Sequence, residues 1–377
     1  MTRRERLMAT LRGEPVDRPA VSFYEIDGSQ DTENQDPFNI YNHPSWKPLI
    51  DLARDRSDRI VRRSVSFINE PRDPLAESTK TETCFDEAGS LLTTTTIRAG
   101  RRVLTMRTKR DKDIDTVWTI EHLLKDLDDL KAYLELPAPA SGGAPDTGVI
   151  LNIEKNLGDG GIAMVDTADP LCLAAPLFEM GQFTVVAMTE PELFHRLLER
   201  FSGWMLPRTE AIAGALPGRL WRICGPEYAS PPYLPPRLFQ EYVTGYDKPI
   251  VEAIRKHGGF ARIHSHGHLR EVLDHIAATG CMGLDPIEPP PQGDVELEYV
   301  REKYGAQLVL FGNLEASDLE NLETNEFAKK IDRAIRAGTS GHGRGFVLMP
   351  SACPYGRVLS KRALANYEKM VEMIEKF

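Results

Sequence analysis

The sequence predicts an α/β fold: one (β/α)8 TIM barrel over residues 1–377, with a β-ribbon inserted in its N-terminal half. Three observations predict it. From residue 220 onward, short apolar runs alternate with amphipathic helical segments, which is the pattern of parallel βα units. A chain of 377 residues that is 41% hydrophobic can bury one large core, and barrels of this length are routinely one unit. Metal-ligand residue types also collect at the ends of the apolar runs, where a parallel barrel gathers function.

The elements follow in order. "MTRRERLMATLRGEPVDRP" reads as a first helix, with Arg3, Arg4 and Arg6 on its solvated face. "PAVSFYEI" (19–26) is predicted to be a first strand and "GIAMVD" (161–166) another. Between them the threonine-rich stretch 80–110 has a turn at "DEAGS", so a β-ribbon is expected over about 75–118. "PAPASGGAPDTG" (137–148) reads as a linker. Then "LWRIC" (220–224) precedes a long helical pattern from Pro236 to Lys256. "GFARIH" (259–264) precedes "LREVLDHIAATG", where Leu269, Val272, Leu273 and Ile276 fall at helical spacing and Gly280 suits a terminus. "MGLDPI", "QLVLFG" and "GFVLMP" are the remaining strands, each leading to a further helix.

Composition narrows the function. A net charge of −10 argues against nucleic acid and against a polybasic membrane surface. No apolar run is long enough for a transmembrane helix, and the N-terminus has no apolar signal core. Five widely spaced cysteines without a CxxC suit reduced thiols, so a cytoplasmic protein is expected.

The predicted strand ends deliver His264 with His266, then Glu288, then Asn313, then Cys353. Imidazole, carboxylate and thiolate all suit Zn²⁺, at the long spacings of a site assembled by a fold. Residues 264 and 266 share one face of an extended segment because side chains alternate. His268 starts the next helix and is expected to point away. Each residue has a plainer alternative: a hydrogen-bonded strand-end histidine, a Glu288 paired with Arg262 or Arg357, a Cys353 buried as a small hydrophobe.

Three stretches carry a family resemblance. They are "RERLMATLRGEPVDRPAV" (4–21), residues 223–259 beginning "ICGPEYASPPYLPP", and residues 263–316 beginning "IHSHGHLREVL". They resemble the uroporphyrinogen decarboxylase superfamily, over roughly 1–25 and 120–377, and the resemblance implies a single barrel. True decarboxylases of that superfamily carry an arginine-rich segment after the opening. Here it reads "FYEIDGSQDTENQDPFN", with no arginine from 20 to 53. An octa-anionic tetrapyrrole would be repelled by it.

The chain more closely resembles the branch of methyltransferases that serve corrinoid proteins, thiols or tetrahydrofolate. That branch is similar to cobalamin-independent methionine synthase, with zinc on His-x-Cys, a later Glu and a late Cys. On this pattern His264, His266, Glu288 and Cys353 are the implied ligands, with His266 departing from the usual Cys. Fewer thiolates make a harder Lewis acid, suited to the oxygen of an ether or phenolate. The expected activity is therefore zinc-dependent methyl transfer, of O-demethylase type, from a small methoxylated or methylated compound. The acceptor would be cobalamin on a separate corrinoid protein, because no "DxHxxG" stretch is present, or a folate carrier. Glu288, Tyr24 and Glu227 are the catalytic candidates. Asp166, Tyr228, Asn313 and Tyr355, with Glu25, are expected to line the pocket. Decarboxylation of uroporphyrinogen or a smaller acid, and a non-catalytic binding barrel, are the competing readings.

Overall fold

The computed structural model describes residues 1–377. Eight parallel strands form the barrel: β1 (Ala20–Val21), β2 (Arg59–Arg63), β3 (Gly161–Ala168), β4 (Leu220–Cys224), β5 (Phe260–Ser265), β6 (Gly283–Pro286), β7 (Val309–Leu314) and β8 (Phe346–Pro350). Each strand from β2 to β8 pairs with the next in this order, and β8 pairs with β1. The last seam, between β1 and β2, has no ladder. Asp58 bridges it: its N–H donates to the Val21 carbonyl at 2.7 Å, and its carboxylate accepts the Val21 N–H at 2.9 Å.

Side-chain alternation divides the core in two. Ile60, Ile162, Leu220, Phe260, Val309 and Val347 point inward, with Met164, Phe311 and Met349 above them. Val61, Val165, Trp221, Ile223, Ala261, Ile263, Leu284, Leu310 and Leu348 alternate outward; all but the buried Val61 join the large core under the helices. The helix Arg3–Arg12 plugs the N-terminal end of the barrel with Leu7 and Leu11. Its N-cap Thr2 accepts from the Glu5 N–H, and Glu5 accepts from the Thr2 N–H. Arg6, expected on a solvated face, is buried and ion-paired to Asp17 and Asp58. The plug needs that face against the β1–β2 seam.

The N-terminal half departs from expectation most. The predicted strand 19–26 is only two residues long, because the chain turns at Tyr24, whose φ is +53°. β2, "RIVRR", was not expected at all. The ribbon is a four-stranded antiparallel sheet: Thr79–Phe85, Leu91–Ala99, Arg102–Arg110 and Val117–Glu121. Within the stretch read as a linker, Ala144–Pro145 pairs with Phe67–Ile68. The long helix after β4 is Pro236–Phe239, a wider π-type turn over Gln240–Thr244, then Gly245–Lys256.

Candidate active site

Polar side chains replace apolar ones where the inward rows reach the C-terminal mouth. Arg62, Asp166, Arg222, Arg262 and His264 follow the parity of the interior residues on β2 to β5. Register places His264 beside Asp285 on β6. A chain of contacts runs through them. Arg222 donates from Nε to Asp166 at 2.7 Å and from Nη1 to the Tyr24 hydroxyl at 2.8 Å. The hydroxyl lies 3.2 Å from His264 Nε2, and His264 Nδ1 lies 2.8 Å from Asp285 Oδ2. Tyr24 has one proton; having accepted from Arg222, it donates to Nε2. Nδ1 then carries the imidazole proton and gives it to Asp285.

The charges balance. Arg62 contacts Glu25 at 2.7 Å and Asp166 at 3.2 Å. Arg262, 2% exposed, lies 3.0 Å from the fully buried Asp285, though not aligned for a hydrogen bond. Three guanidiniums therefore face three carboxylates, Arg262 and Asp285 inside the barrel and Arg62 and Glu25 half-exposed at its mouth. Burial pushes the Asp285 carboxyl up, but the Arg262 charge and the His264 hydrogen bond outweigh it and hold the group at about 2. Burial raises the Tyr24 phenol far above its ordinary value, more than Arg222 lowers it, so Tyr24 stays a donor at neutral pH. The space enclosed between Tyr24, Glu25, Arg62, Arg222, Arg262 and Met349 is about 10 Å³, room for about one water.

The second histidine forms a pair of its own. His266 packs edge-on against His264, with ring centroids 4.7 Å apart, so alternation does bring the two together. Its Nδ1 meets Glu288 Oε1 at 2.8 Å, and Glu288 Oε2 accepts the Gly267 N–H at 2.9 Å. Glu288 thus pairs with neither Arg262 nor Arg357. Burial lowers the His266 pKa, but the Glu288 hydrogen bond and charge outweigh it and hold it above 6.5. Burial raises Glu288, and His266 more than offsets this, holding it below 4.5. The stability of this pair is full between those two ordinary values. It is lost as pH rises through the raised imidazole pKa, or falls through the lowered carboxyl pKa. In chelator-treated protein, Glu288→Gln should remove the decline in melting temperature above neutral pH; an unchanged decline would place its source elsewhere.

Family comparison decides the lineage. The family model described as "Uroporphyrinogen decarboxylase (URO-D)" matches residues 121–377, about two thirds of the chain. This chain belongs to the uroporphyrinogen decarboxylase family. Among curated proteins, none matches it. Its fold is similar to a solved methyltransferase from Methanosarcina mazei, at 18% identity and a TM-score of 0.64, covering 100% of this chain and 99% of that one. A weaker likeness, to D-psicose 3-epimerase of Clostridium cellulolyticum H10 solved with D-tagatose, has 9% identity and a TM-score of 0.31. It covers 61% of this chain and 92% of that one, and is too distant to bear on the site.

In this uroporphyrinogen decarboxylase family member the expected site residues are only partly gathered. Tyr24, Asp166 and His264 join one network, with Glu25 beside them, and His266 and Glu288 form the adjoining pair. Cys353 lies instead against Glu25 at 3.6 Å, and burial, with the Glu25 charge, raises its thiol pKa. As placed, no three His, Cys, Asp or Glu side chains are grouped to hold an ion. Glu288 spends both oxygens elsewhere, and the Cys353 thiol is held protonated. One feature does suit a ligand: the Asp285 contact at Nδ1 fixes the His264 ring, with Nε2 now meeting the Tyr24 hydroxyl. Glu227 accepts its own loop's Gly225 N–H, Tyr228 packs edge-on against Phe183, and the Tyr355 ring is exposed. Asn313 lines a groove with Glu315.

Sequence reading missed Arg62, Arg222, Arg262, Asp285 and Glu315. Strand parity could have found Arg222 and Arg262, which share the face of Leu220 and Phe260. Glu315 is buried just beyond β7, with one carboxyl oxygen unpartnered. Burial, with Glu288 and Asp318 adding, pushes its carboxyl up to about 7. No helix is long and apolar enough to cross a membrane.

Proposed function

We propose that this chain is a methyltransferase, moving a methyl group from a small methoxylated or methylated compound to a corrinoid protein or tetrahydrofolate carrier. The observation that carries this reading is the charge-balanced mouth. Each arginine there already faces a carboxylate, so a highly anionic tetrapyrrole gains no free cation, whereas a small neutral donor needs none. The full-length likeness to a methyltransferase fold supports it. In this reading the Tyr24 hydroxyl turns its one proton from His264 Nε2 to the oxygen that loses its methyl group. Arg222 holds that hydroxyl in place, and Asp285 orients His264 behind it.

Zinc at His264, His266, Glu288 and Cys353 belongs to the same proposal. It requires His264, Glu288 and Cys353 to leave their present partners, so no step is assigned to it here. Elemental analysis of purified protein tests it directly: one zinc per chain, lost on His264→Ala or Cys353→Ala, is the expected result.

The family's decarboxylases make decarboxylation the second reading. Purified protein is expected to demethylate methoxylated aromatics when a reduced corrinoid acceptor is supplied, and to release no CO₂ from uroporphyrinogen. The reverse outcome would overturn the methyltransferase reading.

A further inference from the structure

The ribbon sheet ends in a bare edge. Its first strand, Thr79–Phe85, pairs with Leu91–Ala99 on one side only, and six of its seven residues are exposed. Natural sheets blunt such edges with proline, bulges or charged side chains, above all lysine, because free N–H and C=O groups template another strand. This strand has no proline and pairs without a register shift. Its single lysine, Lys80, already lies 2.7 Å from Glu82 on the same face.

We propose that this edge pairs antiparallel with the same edge of a second copy, about a two-fold axis through Thr81. The backbone sets which groups are available. The Arg98 N–H bonds the Ser78 carbonyl and the Asp86 N–H bonds the Ser90 carbonyl. Even-numbered residues of the strand therefore spend their backbone groups on the neighbour, and Thr79, Thr81 and Thr83 turn theirs outward. Charge then selects the register. Centred on Lys80 or on Glu82, the pairing opposes like charges. Centred on Thr81, it sets Lys80 against Glu82 twice, in the narrow pairs where side chains lie closest. Thr79 then faces Thr83, Thr81 faces itself, and one continuous sheet runs through both copies. Such a contact is isologous and closes at two.

Sedimentation velocity on the full chain, across a concentration series at low salt, tests this. Wild type is expected to dimerise. Lys80→Glu and Glu82→Lys should each weaken the dimer by about tenfold or more, because each opposes like charges twice. Mixing these two single variants should restore dimer, as should combining both substitutions in one chain. Recovery on mixing also shows that the single variants are folded. Thr81→Pro, which removes an outward N–H and leaves the ribbon ladder intact, should give monomer. A wild type that stays monomeric, or a dimer indifferent to these charges, would overturn the proposal.

Discussion

Asp58→Ala is expected to cost about 3–5 kcal/mol of folding stability, the typical loss when one partner of a buried ion pair is removed. Asp58 is fully buried in the one barrel seam that has no strand ladder. Its carboxylate meets Arg6 at 2.5 Å and Arg18 at 2.9 Å, and accepts the Val21 N–H. Alanine would leave the buried Arg6 guanidinium with Asp17 as its one carboxylate partner and the Val21 N–H without its acceptor. The plug helix and the seam would loosen together. Asp58→Asn keeps the shape and an acceptor but not the charge, so it should fall between. Urea denaturation of the three proteins measures this. A loss below about 1 kcal/mol for alanine would mean that solvent screens these pairs as it does at a surface.

The second large effect is catalytic and rests on the proposed methyl transfer. His264→Ala is expected to lower turnover by about 10²–10⁴-fold, the usual share of a positioned proton-handling group, or about 3–5 kcal/mol of barrier. The substitution removes the ring that stacks on Tyr24 and positions its hydroxyl, which is then free to rotate away from substrate. Asp285→Asn tests orientation rather than presence. It removes the charge that Arg262 faces and weakens the hold on Nδ1, so kcat should fall more than KM changes. Because Asp285 is buried, both variants must be assayed where circular dichroism shows them folded. Exogenous imidazole should partly rescue His264→Ala if the ring acts at the site. Turnover equal to wild type in folded His264→Ala would remove the Tyr24–His264 pair from the mechanism.

Local pattern determined much of this protein. The apolar runs at 220–224, 259–264, 282–287, 307–312 and 345–350 all became barrel strands, because a strand buried on both faces shows itself by composition alone. The neighbouring placement of His264 and His266 followed from alternation, which is equally local. What sequence could not show lies where the stabilising partner is far along the chain. "RIVRR" does not read as a barrel strand, because Arg62 is tolerated inside only when Asp166, 104 residues later, faces it. Arg6 reads as a solvated helix residue until Asp58 is folded against it, 52 residues away. Likewise Glu288 chose His266 over Arg262, since Asp285 on the adjoining strand already faced that arginine. Periodicity reports which face of an element is buried. Which charges meet inside the barrel is settled only when the sheet closes, because a buried charge is stable only beside its counter-charge.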